Sequence, residues 1–177
     1  MSDPLVTYLG DHLGGAAHAI ELLKTMHDHY ESEPLGQFAG ELLAEIEADR
    51  ETLRNIADRL GAGSSELKEL AGRVSEMISR VKMSHRITNG LGTFEALEFL
   101  VLGIHGKWVL WRALAVASET EPRLNGIDFE QLIGRADKQH SQVEQRRLAL
   151  ARTVFGASRN DETPVTPAAS GMVLGSE

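Results

Sequence analysis

Phe38-Ala39-Gly40-Glu41-Leu42-Leu43-Ala44-Glu45-Ile46-Glu47-Ala48-Asp49-Arg50-Glu51-Thr52-Leu53 decides the fold. Phe38, Leu42, Ile46, Asp49 and Leu53 recur at the spacing of one helix face, with Glu45 beside Ile46. Leu35 extends the stripe upstream, and Ile56 and Leu60 extend it downstream. Ser32-Glu33-Pro34 opens this helix, and Gly61 and Gly63 stop it. Two carboxylates, Glu45 and Asp49, therefore stand in a stripe that should be wholly apolar. Such groups must be paired, protonated or bound to a metal.

The flanking segments repeat this pattern. Asp3 caps and Pro4 opens a first helix running to about Tyr30. Leu5, Leu9, His12, Ala16, Ile20, Leu23, His27 and Tyr30 recur along it, with Glu21 beside Ile20. Gly10, Gly14 and Gly15 weaken that helix and allow a neighbour to approach closely. A shorter helix is expected over 65–82, carried by Leu67, Leu70, Val74, Met77, Ile78 and Val81. A loop should follow over 83–92, where Asn89-Gly90 and Gly92 lie. Thr93 is positioned to cap the next long helix, which reaches about Ser118. Phe94, Leu97, Val101, Ile104, Trp108 and Trp111 line one of its sides, and Phe99, Leu100, Leu102, Val109, Leu110 and Leu114 the others. A helix apolar all round is covered on more than one side, by the short helix or by a second subunit. After a turn over 121–126, Asp128 and Gln131 form a capping-box pattern before a last helix ending near Phe155. Glu98 and His105 interrupt the third long stripe, and His140 the fourth. Residues 1–156 read as one helical domain and 157–177 as a tail. No alternation of strand type competes.

Composition narrows the function classes. The 177-residue chain is long enough for a sizeable core. Its formal charge of −8 leaves no basic surplus for binding phosphates, so no nucleic-acid partner is expected. The absence of cysteine excludes disulfides, thiolate metal sites and a cysteine nucleophile, and it fits a cytoplasmic location. Met1-Ser2-Asp3-Pro4 has neither the basic nor the apolar part of a signal peptide. Glu95, Glu98, His105, Lys107 and Arg112 within the most apolar run argue against a membrane span. Asn89-Gly90-Leu91-Gly92 is a loop signal with no strand before it, so no nucleotide loop is expected.

Depth along the bundle follows from the turns. If the first two long helices turn near Ser32, Glu45 is level with Ile20 and Glu21, and Asp49 with Ala16. If the last two turn near Arg123, His105 is level with His140, and Glu98 with Arg147. About 32 residues join the second and third long helices, more than a tight antiparallel turn needs, so these two helices are free to run parallel. His105 then falls between Glu45 and Asp49 to within one turn, ~5.4 Å. Glu21, Glu45, Asp49, His105 and His140 are thereby expected to converge near mid-bundle.

This arrangement resembles the ferritin-like superfamily over roughly Pro4 to Phe155. The resemblance rests on two long hairpins, a long central connection with its own short helix, and inward carboxylates and histidines. It implies an all-α, up-down-down-up four-helix bundle with an extra short helix in the crossover. Active di-iron members supply a Glu from each of two helices and Glu-x-x-His from each of the other two. Here Glu45-Ile46-Glu47-Ala48-Asp49 has Asp where His would stand. The last helix offers Asp137-Lys138-Gln139-His140, and the first has His18-Ala19-Ile20-Glu21 in reverse order. Without an intact motif, the expectation is a non-catalytic or uncharacterised ferritin-like protein with no cofactor, whose polar centre is filled by salt bridges and hydrogen bonds. The alternative is an iron- or manganese-dependent oxidoreductase or metal-handling protein with Glu21, Glu45, Asp49, His105 and His140 as ligands.

Each polar group has two readings. Glu45 and Asp49 form a metal half-site or are neutralised by Lys107 or Arg112, of which Lys107 shares the depth of Asp49. His105 and His140 are ligands, or hydrogen-bonded core or interface histidines. Glu98 is expected to pair with Arg147. Tyr8, Asp11 and His12 form a cluster suited to proton transfer or to bracing between helices. His27-Asp28-His29 is a weak surface metal signal. Trp108 and Trp111 read as core or subunit contact. The apolar girdle of the third long helix also fits a homodimer.

Overall fold

A computed structural model describes residues 3–63, 87 and 90–156. Among the described residues, four long helices make up an all-α bundle: α1 (Pro4–His29), α2 (Pro34–Arg59), α3 (Gly90–Ala117) and α4 (Phe129–Gly156). A short 3-10 turn (Pro122–Leu124) joins α3 to α4, and there is no strand among the described residues. The expected crossover helix over 65–82 and the tail over 157–177 lie outside the described residues.

Local chemistry accounts for the helix ends. The Asp3 carboxylate accepts from the Leu5 N–H at 2.9 Å, and Pro4 follows it. The α1–α2 turn is tight because Gly36 abuts the backbone of Tyr30, where a Cβ would collide with the Tyr30 carbonyl. At the end of α2 the Ala62 N–H donates to the Ala57 carbonyl (3.1 Å) and the Gly61 N–H to that of Asp58 (3.0 Å). Gly61 has φ +83°, completing a Schellman cap that favours glycine at this position. The Gln131 N–H donates to the Asp128 carboxylate at 2.9 Å, so the start of α4 is capped as its sequence pattern indicates.

The start of α3 differs from expectation. The helix begins at Gly90, not Thr93, and Thr93 is buried in its first turn. Glycine is a poor helix former, but packing overrides propensity here. Gly92 is buried, and a Cβ on Gly90 would lie 3.2 Å from Val154 at the far end of α4. The Thr93 hydroxyl forms a 2.6 Å hydrogen bond with the Tyr30 hydroxyl, which also donates to the Ile87 carbonyl at 3.3 Å. Toward the other end, Arg123 donates to the Leu60 carbonyl at 2.9 Å and lies 3.6 Å from the Asp3 carboxylate.

The core is divided in two. One cluster contains Leu9, Leu13, Leu53, Ile56, Leu110, Trp111, Leu114 and Phe129. The other contains Ile20, Leu23, Met26, Phe38, Leu42, Ile46, Leu97, Leu100, Ile104 and Val143. The division falls at one level on every helix: Asp49 on α2, Lys107 on α3, Gln139 on α4, and the small run Gly14-Gly15-Ala16 on α1. By length and composition α3 could cross a membrane. In this fold Leu97, Leu100 and Ile104 serve one core cluster and Leu110, Trp111 and Leu114 the other. Leu102, Val109 and Val116 are exposed, and the charged Glu98 and Lys107 pair with other helices.

Candidate functional site

The dividing level is a layer of polar side chains centred on Asp49, which is 2% exposed. The Lys107 ammonium donates to Asp49 Oδ2, and the Arg135 guanidinium pairs with Oδ1. Gln139, fully buried, connects the rest: its amide nitrogen donates to Glu45 Oε2 (2.8 Å) and Asp49 Oδ2 (3.3 Å), and its amide oxygen accepts from Lys107 (2.5 Å). Two carboxylates and two cations make the layer neutral, and Gln139 uses both ends of its amide. Burial pushes the Lys107 amine below its usual pKa; the charge and hydrogen bond of Asp49 oppose that shift, Arg135 adds to it, and Glu45 opposes it.

Beside this layer lies a cavity of about 240 Å³ between α1, α2 and α3. Small residues on two facing helices leave it open: Gly15, Ala16 and Ala19 on α1, and Gly103 and Gly106 on α3. Its walls are mainly apolar, with Ile46, Leu53, Phe99, Ile104 and Leu110 among them. Asp49, Arg50, Lys107, His12 and Trp111 also line it. Among the described residues, two buried donors on these walls, Arg50 Nε and Trp111 Nε1, have no hydrogen-bond partner. A buried polar group without a partner costs roughly 1–3 kcal/mol, so such groups are uncommon in native cores. His12 packs edge-on against Tyr8 at 4.8 Å. Burial lowers its pKa below the usual 6.5, and the charge of Asp11 only partly opposes this.

The five residues expected to converge do not all do so. Glu45 and Asp49 share the layer, as described. Glu21 is 76% exposed and lies 3.6 Å from Lys24, because Ile20 and Leu23 take the inward positions. His105 is exposed, because Ile104 and Lys107 face inward on either side of it. Its ring stacks on Trp108 at 5.5 Å and lies 5.9 Å from that of His140, so these two histidines do share a level, but at the α3–α4 surface. Arg112 is exposed over the Trp108 ring at 4.5 Å and does not reach the layer. Arg147 lies 3.2 Å from Glu98 and also binds Glu144 at 2.6 Å. His27, in the weak surface cluster, donates through Nδ1 to the Gly36 carbonyl at 3.0 Å and so braces α1 against α2.

Sequence reasoning missed Arg135, Gln139 and Arg50 as site residues. Arg135 and Gln139 are one turn apart on α4, the same spacing as Glu45 and Asp49, and that spacing was the available signal. The layer does not suit a di-iron centre. Its carboxylates already face two fixed cations, and no group of three or more His, Asp or Glu among the described residues is arranged to hold a metal ion. No protein-family model matches the chain, and no curated protein or solved structure is significantly similar to it.

Proposed function

We propose that the chain is a metal-independent, non-catalytic member of the ferritin-like class, whose polar centre is a closed ionic and hydrogen-bonded network. The observation carrying this reading is the pairing of Asp49 with both Lys107 and Arg135, while Gln139 spans Glu45, Asp49 and Lys107. A metal ion entering here would meet two positive charges and displace bonds already made. The up-down-down-up order belongs to the same proposal. It is supported by Tyr30, after α1, bonding to Thr93 near the start of α3, and by Arg123, after α3, bonding to Leu60 just past α2. The short crossover helix is part of this reading and rests on the sequence alone. Elemental analysis of protein purified without chelators tests the proposal. Iron, manganese and zinc are expected well below one equivalent per chain. One equivalent that disappears in Asp49→Asn would overturn it.

A second reading, a homodimer through α3, is favoured by one observation. Leu102, Val109 and Val116 recur every seventh residue and are 66%, 40% and 67% exposed. That is the spacing of a coiled-coil seam, with Gly106 and Ala113 between them to admit a second copy's side chains. Light scattering should then give twice the chain mass, and Val109→Glu should halve it. A monomeric mass for the unaltered chain at high concentration counts against this reading.

A further inference from the structure

We propose that the cavity between α1, α2 and α3 binds a small monocarboxylate with a hydrocarbon body. The inference goes beyond the ionic network and does not depend on it. Size is the first argument. At about 240 Å³ the space exceeds the roughly 150 Å³ cavity that admits benzene in an apolar core, so a body of about eight carbons is suitable. Shape is the second. A Cβ on Gly15 would meet nothing within 4 Å, so the opening at this level is not forced by close packing of the neighbouring helices.

Polarity decides the head group. The two unpartnered N–H groups on the walls are both donors: Trp111 Nε1, in a residue 1% exposed, and Arg50 Nε. A ligand oxygen would supply what they lack. The acceptors on the same walls are otherwise engaged or peripheral. Lys107 and Gln139 hold Asp49 Oδ2; Asp49 Oδ1 makes no hydrogen bond but is neutralised by its ion pair with Arg135, and Asp11 is exposed. The Arg50 guanidinium adds a positive charge suited to an anionic head, because charge-assisted bonds to a carboxylate are the stronger kind. Apolar residues such as Ala19, Ile46, Leu53 and Ile104 would enclose the tail.

Calorimetric titration of the full chain with octanoate, octanol and octylamine tests the proposal. Octanoate should bind once per chain with a dissociation constant at or below about 1 mM, octanol at least about tenfold more weakly, and octylamine not measurably. Arg50→Met and Trp111→Phe, which remove the donor and keep an apolar side chain in its place, should each weaken octanoate binding about tenfold or more. Gly15→Leu, filling the cavity from a position with room for it, should abolish binding without lowering the melting temperature. Equal affinity for octanoate and octanol, or no octanoate binding by a folded chain, would overturn the proposal. So would unchanged binding in Gly15→Leu or in both donor variants.

Discussion

Lys107→Met isolates the central ion pair. The side chains of Asp49 and Lys107 are only 3% and 13% exposed, so their interaction is poorly screened by solvent. Removing one member of a buried pair costs about 3–5 kcal/mol, because the other charge stays buried. Arg135 and Gln139 would remain on Asp49, and the Arg135 side chain is 34% exposed and able to adjust, so about 3 kcal/mol is expected. For a chain of this length that lowers the melting temperature by roughly 6–12 °C. Asp49→Leu, which strands Lys107 and also takes the partner from the part-exposed Arg135, should cost at least as much. The double variant Asp49→Leu/Lys107→Met removes both charges, leaves Gln139 bonded to Glu45, and frees Arg135, 34% exposed, to turn toward solvent. It should lie within about 2 kcal/mol of the unaltered chain, since apolar replacement of a buried pair is often neutral. Urea unfolding followed by helical circular dichroism measures all four corners of the cycle. A coupling energy of at least about 2 kcal/mol is expected. Single-variant costs below about 1 kcal/mol, or a double variant whose cost equals the two single costs combined, would refute the reasoning.

Two glycines should respond in opposite directions in the same unfolding assay. Gly15→Ala should stabilise by about 0.5–1 kcal/mol, because its Cβ meets nothing and the change lowers the entropy of the unfolded chain. Gly36→Ala should destabilise by about 1–3 kcal/mol, because its Cβ would run into the Tyr30 carbonyl. Acid should weaken the fold through His12. Burial lowers the folded pKa of His12 below 6.5, so the unfolded chain takes up the proton first. This contribution to stability is complete above the unfolded value and is lost as pH falls through it toward the folded pKa. His12→Gln should flatten the pH dependence of unfolding free energy in that window; an unchanged slope there would contradict the assignment.

Much of the architecture was legible in the chain because its causes are local. Asp3 and Pro4, Gly61, and Asp128 with Gln131 mark helix ends by backbone chemistry that depends on nearby residues. Stripe periodicity marked the inward face of α2, but on α4 it chose His140 where Gln139 is the buried residue. Counting from the turns placed His105 level with His140 and Glu98 level with Arg147. Depth, however, is only one coordinate. Each residue along a helix also turns the side chain by about 100°, so Glu21 and His105 stand at useful depths and still face outward.

By itself the sequence determined that four long helices would form and that Glu45 and Asp49 would need compensation. Only the tertiary structure decided who supplies it. Lys107 and Arg112 are both long, flexible cations on α3, and periodicity alone did not distinguish them. Lys107 reaches Asp49, while Arg112 lies over Trp108. Arg135 and Gln139 come from α4, far away in the chain, and join the network only when α2, α3 and α4 pack together. The cavity is likewise a property of the assembled bundle. Gly15 and Ala16 are merely small residues in the sequence, and they leave a void only where neighbouring helices cannot close over them. Helix formation and capping are short-range, whereas satisfying a buried charge depends on distances between helices that no single stretch of chain contains.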